Sequence, residues 1–215
     1  MPVLLPFLKI RVFRAFTLLI PLLLVSDHLW ANQTKLLVLG DSLSAGYGLK
    51  QEQGWVSLLQ NALQEQDILV VNGAISGETT DGGLSRLPRL LKQHTPSHIL
   101  IELGGNDGLQ GHSVKKMRAN LASIIEVSQQ NEVKVLLQQM QIPTNYGRRY
   151  NQMFTESFGL LAEQYNVPLV PFFLQDVALK PELMQRDGIH PNEKAQPMIA
   201  DFMQTQLLPL LQNEQ

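Results

Sequence analysis

The sequence of 215 residues contains no cysteine. A chain without cysteine has no disulfide, no thiol nucleophile, no cysteine-ligated zinc and no lipid-modified cysteine anchor. Its stability must therefore come from its apolar core. A hydrophobic fraction of 44% is enough to build one compact domain at this length.

Long hydrophobic runs are scarce, and the one that exists lies near the start of the chain. The stretch "AFTLLIPLLLVS" (15–26) carries no charge, follows a basic segment (9–14) and precedes the small residue Ala31. This order is typical of a secretory signal peptide. A membrane anchor is the alternative, but about 12 apolar residues fall short of the roughly 20 that span a bilayer. The sequence predicts a cleaved signal peptide over 1–31 and a mature chain over 32–215, exported to the periplasm or the medium without stable membrane insertion.

No run of basic residues occurs in the predicted mature chain. The full sequence has 17 basic and 19 acidic residues, and removal of residues 1–31 leaves 14 basic and 18 acidic, a formal charge of −4. A mildly acidic chain without a basic patch argues against a nucleic-acid partner. We expect a small-molecule substrate and a monomeric protein.

Short apolar runs alternate with amphipathic stretches from residue 35 onward. The runs are rich in Val, Ile and Leu without polar alternation, as in parallel strands buried on both faces. This alternation predicts an α/β fold, a three-layer α/β/α sandwich around a five-stranded parallel sheet, as one domain. The predicted strands are 35–40, 67–72, 98–103, 132–138 and 167–171. The predicted helices are 54–66, 80–93, 113–130, 148–165 and 193–210, the last ending near Pro209.

The Gly-x-Ser-x-Gly signature of the α/β-hydrolase nucleophile elbow is absent. Chemistry-bearing residues instead follow the predicted strands, and the carboxyl ends of parallel strands are where ligands gather. Three such stretches are "GDSLSAGYG" (40–48), "NGAISGETT" (72–80) and "GGND" (104–107), and a fourth, "DGIHPN" (187–192), lies late in the chain before the last predicted helix.

Each stretch taken alone also has a purely structural explanation. Asp41 or Ser42 is a good helix cap, "ISGET" resembles a helix start, and "GGND" and "DGIHP" are plausible tight turns. Together, however, they supply a hydroxyl, a backbone amide beside a glycine, a side-chain amide and an Asp–His pair. That set is typical of a hydrolase with a hydroxyl nucleophile.

The roles of these residues follow from what acyl transfer requires. Ser42 is a weak nucleophile until a base takes its proton, and His190 is the histidine that lies beside a carboxylate in such a loop. Asp187, three residues earlier, is placed to hold the other imidazole nitrogen. The oxyanion of a tetrahedral intermediate needs donors, and the Asn106 side chain with the backbone amides of Gly77 and Ser42 can provide them.

These four blocks, in this order, resemble the GDSL or SGNH hydrolase family, and the resemblance spans nearly all of 32–215. It implies a flavodoxin-like fold and the same catalytic roles for Ser42, Asp187 and His190, with Ser42, Gly77 and Asn106 as the oxyanion hole. It further implies hydrolysis of fatty-acyl esters and thioesters (lysophospholipids, acyl-CoA, aryl esters) through an acyl-serine intermediate, without metal or cofactor.

The substrate-binding surface is predicted from position alone. The apolar stretch "LLQQMQIPTNYG" (136–147) follows the fourth strand, so an acyl groove could form there, with a flap of Leu109 between Gly108 and Gly111. Ordinary loop packing explains the same pattern. The predicted substrate-binding residues are Leu109, Met140, Ile142, Pro143 and Tyr146.

Two other functions remain to be weighed against this one. A carbohydrate O-deacetylase would use the same fold with a polar cleft, but the apolar 136–146 stretch has few aromatic platforms for sugars. A flavodoxin-like protein binding a phosphate or FMN would use 40–48 at a helix N-terminus. Against it, Asp41 would repel a phosphate and "DGIHP" would have no task.

Overall fold

The structure is a computed structural model that describes residues 33–212. The predicted signal peptide lies outside these described residues. Within 33–212, no helix combines the length and the apolar character needed to cross a membrane.

Five parallel strands form one sheet in the order β2-β1-β3-β4-β5. The last strand is shorter than predicted because Pro168 and Pro171 flank it, and proline cannot donate to the hydrogen-bond ladder. The strands are β1 (Thr34–Gly40), β2 (Ile68–Asn72), β3 (His98–Glu102), β4 (Lys134–Gln138) and β5 (Leu169–Val170).

Helices cover both faces of this sheet. Those in the described part of the chain are α1 (Ser42–Ala45), α2 (Trp55–Leu63), α3 (Thr80–His94), α4 (Gly105–Leu109), α5 (Val114–Gln130), α6 (Arg148–Tyr165) and α7 (Gln196–Gln212). Helices α3, α5 and α6 pack together on one face, and α2 packs against α7 on the other. The predicted three-layer α/β/α sandwich is confirmed.

Alternate residues of each strand feed the two cores. In β1, Leu37 and Leu39 point to the core under α3, α5 and α6, while Leu36 and Val38 point to the core under α2 and α7. All four are fully buried. A strand that is apolar on both faces must lie inside the sheet, which explains why the apolar runs show no polar alternation.

The last helix does not end near Pro209, contrary to the sequence prediction. Proline lacks an N–H and removes one intrahelical hydrogen bond, yet α7 continues to Gln212. Leu207 and Leu211, on either side of the proline, are buried in the core. Their packing holds the final turn in place.

The strand order reverses at β1, because β2 lies on one side of it and β3 on the other. In open α/β sheets such a reversal opens a crevice at the carboxyl ends of the strands. Three of the four predicted stretches follow β1, β2 and β3 and therefore begin at this crevice.

Candidate active site

Ser42 stands at the point where β1 becomes α1. Asp41 is the N-cap of this short helix, and its Oδ1 accepts a hydrogen bond from the Leu43 N–H at 3.0 Å. The capping explanation and the nucleophile explanation thus apply to neighbouring residues. Asp41 caps the helix, and the Ser42 hydroxyl is left for another partner.

That partner is His190, 148 residues away in the chain. Ser42 Oγ lies 2.9 Å from His190 Nε2, and His190 Nδ1 lies 2.7 Å from Asp187 Oδ2. The second carboxyl oxygen, Oδ1, accepts the backbone N–H groups of Ile189 and His190 at 2.9 and 3.0 Å. The tight turn of "DGIH" therefore fixes the carboxylate beside its own imidazole.

The charge on Asp187 decides which imidazole nitrogen carries the proton. Desolvation acts to raise the Asp187 pKa, but hydrogen bonds from the His190 backbone and side chain and from the Ile189 N–H together lower this pKa to about 2. An ionised carboxylate can only accept, so His190 Nδ1 donates to it. Nε2 is then free to accept the proton of Ser42.

Two backbone N–H groups in the segments that follow β1 and β2 are unpaired among the described residues. The N–H groups of Ser42 and Gly77 have no acceptor among residues 33–212. Gly77 adopts a left-handed conformation, with φ of +80°, which a side chain would strain. Both groups are therefore available as oxyanion donors.

The third predicted donor, Asn106, has both of its amide protons engaged. Its Nδ2 donates to Asp41 Oδ2 at 3.1 Å and to the Glu78 carbonyl at 2.9 Å. Donation to an oxyanion must therefore share one of these two bonds. The same bonds hold the amide between the β1 and β2 ends of the crevice.

An ion pair between Arg86 and Glu78 stabilises the turn that contains Gly77. Arg86 Nε donates to Glu78 Oε2 at 2.5 Å and Nη1 donates to the Gly73 carbonyl at 2.5 Å, with both side chains 12% exposed. Arg86 belongs to α3, so the helix that follows the turn also fixes its shape.

A buried acid lies beneath the serine. Glu102, the last residue of β3, is fully buried, and its Oε2 accepts from the Ser44 hydroxyl at 2.6 Å and the Asp41 N–H at 3.2 Å. Burial, followed by the negative charge of Asp41, raises the pKa of Glu102 well above its usual range. Burial also raises the pKa of Asp41 to about 6, against the hydrogen bond from Leu43 and the charge of His190.

The predicted substrate-binding residues lie next to one another around α4. Met140 and Ile142 are buried, 1% and 9% exposed, and pack in the core beneath Gly105 and Gly108. As they stand they support α4 and do not line an open groove. Pro143 is exposed, and the Tyr146 hydroxyl donates to the carbonyl of Leu109 at 2.7 Å. Their contact with substrate stays a prediction.

Sequence reasoning missed several residues that shape the site. Glu102 had a visible signal, because an acid ending the otherwise apolar strand "HILIE" is out of place unless it has a polar partner. Arg86, Tyr47 and Gln185 had none, because their contacts depend on loop conformations that no periodicity encodes. Tyr47 stacks on His190, and Gln185 bridges the two loops.

A cavity of about 550 Å³ lies at the opposite edge of the sheet, by the amino ends of β3, β4 and β5. His98, Lys134 and Val167 are among its lining residues, and none of the predicted catalytic residues is. This cavity is therefore separate from the candidate active site. Within 33–212 no cluster of three or more acidic or histidine side chains is placed to hold a metal ion.

The chain is similar along most of its length to hydrolases of acyl esters. It is 52% identical over 176 residues to an arylesterase of Vibrio mimicus, a match that covers 81% of this chain and 88% of that protein. It is 49% identical over 179 residues to the thioesterase, protease and lysophospholipase of Escherichia coli (strain K12), covering 83% and 86%.

A solved structure agrees with these sequence matches. The crystal structure of the psychrotrophic esterase EstA from Pseudoalteromonas sp. matches with a TM-score of 0.82 and 49% identity, covering 84% of this chain and all of that one. The profile of the GDSL-like lipase/acylhydrolase family matches residues 38–196. Because this match runs from β1 to the first residue of α7, the chain belongs to the GDSL-like lipase/acylhydrolase family and is a hydrolase of acyl esters.

Proposed function

We propose that Ser42 is the nucleophile, His190 the general base and then acid, and Asp187 the residue that orients His190, in the hydrolysis of fatty-acyl esters and thioesters. The observation that carries the proposal is the 2.9 Å approach of Ser42 Oγ to an imidazole nitrogen whose other side is held by an ionised carboxylate.

In the acylation half, Ser42 Oγ attacks the acyl carbonyl carbon while His190 Nε2 takes the hydroxyl proton. The carbonyl oxygen becomes an oxyanion, which the N–H groups of Ser42 and Gly77 and the Asn106 amide stabilise. The C–O or C–S bond to the leaving group then breaks, and the imidazolium gives its proton to the departing alkoxide or thiolate. The product is an acyl-serine.

In the deacylation half, a water molecule takes the place of the leaving group. His190 Nε2 removes a proton from this water, and the resulting hydroxide attacks the acyl carbon. Collapse of the second tetrahedral intermediate breaks the bond to Ser42 Oγ, which recovers its proton from His190. The fatty acid leaves, and the starting arrangement is restored.

The substrate class follows from the relatives. Proteins named arylesterase and thioesterase and lysophospholipase share about half of this sequence, which supports aryl esters, acyl-CoA and lysophospholipids as substrates here.

Removal of the Ser42 hydroxyl tests the nucleophile. With p-nitrophenyl butyrate as substrate, Ser42→Ala should lower kcat by on the order of 10⁴–10⁶-fold while leaving the fold intact, as triad deletions do. A fluorophosphonate should label the native protein and leave Ser42→Ala unlabelled. Equal turnover by both proteins would refute the assignment.

A substrate panel tests the class. The mature chain should release fatty acid from lysophosphatidylcholine and acyl-CoA faster than it releases acetate from acetylated sugar. The reverse order would make the protein a carbohydrate O-deacetylase.

We also propose that the protein is exported and acts as a monomer. Support comes from the basic, apolar and small-residue order of 1–31. Cell fractionation with and without residues 1–31 tests export, and light scattering on the purified mature chain tests its mass. Retention of both forms in the cytoplasm, or a dimer mass, would contradict the respective proposal.

A further inference from the structure

The face of the His190 imidazole is covered by the ring of Tyr47. The two ring centroids are 4.4 Å apart and the ring planes are inclined by 34°. Tyr47 is 51% exposed, and its hydroxyl makes no hydrogen bond to any residue within 33–212. The contact with His190 is therefore made by the Tyr47 ring alone. Tyr47 takes no part in the hydrogen bonds that join Ser42, His190 and Asp187.

The imidazole needs a contact of this kind. Its two hydrogen bonds, to Ser42 and Asp187, lie in the ring plane, so they resist in-plane displacement but not a tilt about the line joining the two nitrogens. The Asp187 side chain is itself 37% exposed. A ring packed on the imidazole face opposes the tilt that the hydrogen bonds leave open.

The need is greatest during the reaction. Once His190 has taken the proton and Ser42 Oγ is bonded to the acyl carbon in the tetrahedral intermediate, the hydrogen bond from the Ser42 hydroxyl to the imidazole is gone and Asp187 is the remaining in-plane partner of the ring. The imidazole must then present the proton to the leaving group. At 4.4 Å the Tyr47 ring lies within the roughly 6 Å at which an aromatic face attracts a cation such as imidazolium.

Tyr47 is in turn held between both catalytic segments. Its N–H donates to the Ser42 carbonyl at 3.1 Å, and its carbonyl accepts from Gln185 Nε2 at 2.7 Å. Gln185 is hydrogen-bonded to the loop that carries His190 (187–192, the histidine loop). Its N–H donates to the His190 carbonyl at 2.7 Å, and its Nε2 also donates to the Pro191 carbonyl at 3.1 Å.

The residue after Tyr47 makes room for this bridge. Gly48 has φ of +76°, and a Cβ at this position would lie 2.5 Å from Gln185 Oε1. A glycine is therefore required both by the backbone and by the approach of the Gln185 side chain.

From these contacts we propose that Tyr47 is a positioning residue for His190, and that Gln185 clasps Tyr47 to the histidine loop so that its ring stays on the imidazole. The proposal rests on the proposed roles of Ser42 and His190. It adds a residue that acts through the base without touching the reacting atoms.

The test compares Tyr47→Leu and Tyr47→Gln, which remove the ring, with Tyr47→Phe, which keeps it. On p-nitrophenyl butyrate, both ring-removing variants should lose roughly tenfold to a hundredfold in kcat, the size expected when a catalytic group is misplaced. Their KM should stay within about threefold of the native value. Tyr47→Phe should restore native kcat, because the hydroxyl has no partner.

Two further readouts separate positioning from a loss of folded protein. Fluorophosphonate titration should count the same fraction of active sites in every variant, with slower labelling only where the ring is missing. In proton NMR, the low-field signal of the His190 Nδ1–H bound to Asp187 should be sharp in the native protein and Tyr47→Phe, and broadened in Tyr47→Leu.

Gln185→Ala gives an independent variant, since it leaves the ring in the sequence. It should lower kcat in the same direction, and its effect should not add to that of Tyr47→Leu, because both changes release the same contact. Additive losses in the double variant would show that the two residues act independently, and would contradict the proposal that Gln185 holds Tyr47 on the imidazole.

Three results would overturn the proposal. The first is a native kcat in Tyr47→Leu, and the second is a Tyr47→Leu variant in which only KM changes, which would make Tyr47 a substrate contact. The third is a Tyr47→Phe variant that is as impaired as Tyr47→Leu. These outcomes differ from failure of the proposed function, in which the native protein itself would not react with the fluorophosphonate.

Discussion

Ser42 and His190 share a hydrogen bond, but the segments that carry them are built in opposite ways. The serine segment (40–48) is hydrogen-bonded to residues far away in the chain. Asp41, 2% exposed, bonds to Glu102 and Asn106, which lie 61 and 65 residues away. The histidine loop is tied mostly to itself, with Asp187 bonded to backbone groups two and three residues on.

This difference shows where each half of the catalytic machinery gets its precision. The proposed nucleophile and the proposed oxyanion donors are placed by long-range packing, so they depend on the whole fold. The imidazole is placed by a local turn, and few contacts join that turn to the rest. We therefore expect mutations in the first half to affect stability and activity together, and mutations in the second half to affect activity far more than stability.

The largest effect is expected for Asp187→Asn. An asparagine in place of the carboxylate favours the wrong imidazole tautomer, and kcat should fall by about 10⁴-fold. The free energy of unfolding, measured in urea at neutral pH, should fall by no more than about 1 kcal/mol, because solvent screens this partly exposed carboxylate and its hydrogen bonds are local. A loss of several kcal/mol would break the comparison.

Asn106→Ala should instead reduce both quantities. Loss of one oxyanion donor lowers kcat by roughly 10²–10³-fold. Loss of the hydrogen bond to Asp41 leaves a buried carboxylate without one of its donors, which costs about 1–3 kcal/mol of stability. Kinetics and urea unfolding measure the two effects.

The exposed Asn131 of the α5 C-terminus provides the control for this variant. Asn131 Nδ2 donates only to the Val127 carbonyl within its own helix end, so Asn131→Ala should leave kcat at the native value. Full stability in Asn106→Ala would show that the serine segment is not held by this amide.

The two halves should respond to pH with opposite signs. The pKa of Asp41 is raised to about 6 in the folded protein, so the folded state keeps a proton that the unfolded state loses. Its stabilising contribution is complete below about pH 4 and is lost as the pH rises to about 6, by on the order of 2–3 kcal/mol. The Asp187 pKa is lowered to about 2, so its contribution is complete above about pH 4 and is lost as the pH falls toward 2.

Urea unfolding across pH 2–7 can separate these contributions. Asp41→Asn should reduce the decline between pH 4 and 6 by the Asp41 contribution, leaving the part that comes from the raised pKa of Glu102 and leaving the acid side unchanged. Asp187→Asn should instead flatten the acid side. Curves for native protein and Asp41→Asn that stay parallel above pH 4 would contradict the assignment of the buried charge.

The smallest effect is expected at Gly48, where the serine segment contacts the Gln185 side chain. Gly48→Ala places a residue in the left-handed region, at a cost of about 1–2 kcal/mol, and its Cβ displaces the Gln185 amide. Gly111→Ala, with φ of +66° and open space around its Cβ, has the same backbone cost. The difference in free energy of unfolding between the two variants measures the displaced Gln185, and equal losses would show that the clasp contributes nothing.

The sequence predicts the sheet well because both-face burial leaves a plain signal, an apolar run without alternation. Three of the four chemical stretches could be placed together because they follow strands whose ends meet at one edge of a parallel sheet, and the fourth, 187–192, was chosen for its Asp–His pair. Glu102 was not placed, because its partner Gly40 is set by strand register, which the sequence does not state. The extent of α7 was misjudged because the packing of Leu207 and Leu211 overrides the local preference of Pro209.

The residues around α4 show a different limit. Met140 and Ile142 follow β4 and are apolar, which fits a groove and a core equally well, and their burial is decided by the glycines of α4 above them. Tyr47 and His190 illustrate a third limit. Their stacking depends on two loops far apart in the chain, and no local pattern links them.

The 148 residues that separate Ser42 from His190 have a consequence for how the enzyme is made. During synthesis Ser42 emerges well before His190, and α7, which docks on α2, follows His190. We therefore expect a nascent polypeptide that stops short of His190 to hold a serine without its proposed base and to be inactive until that loop has been made.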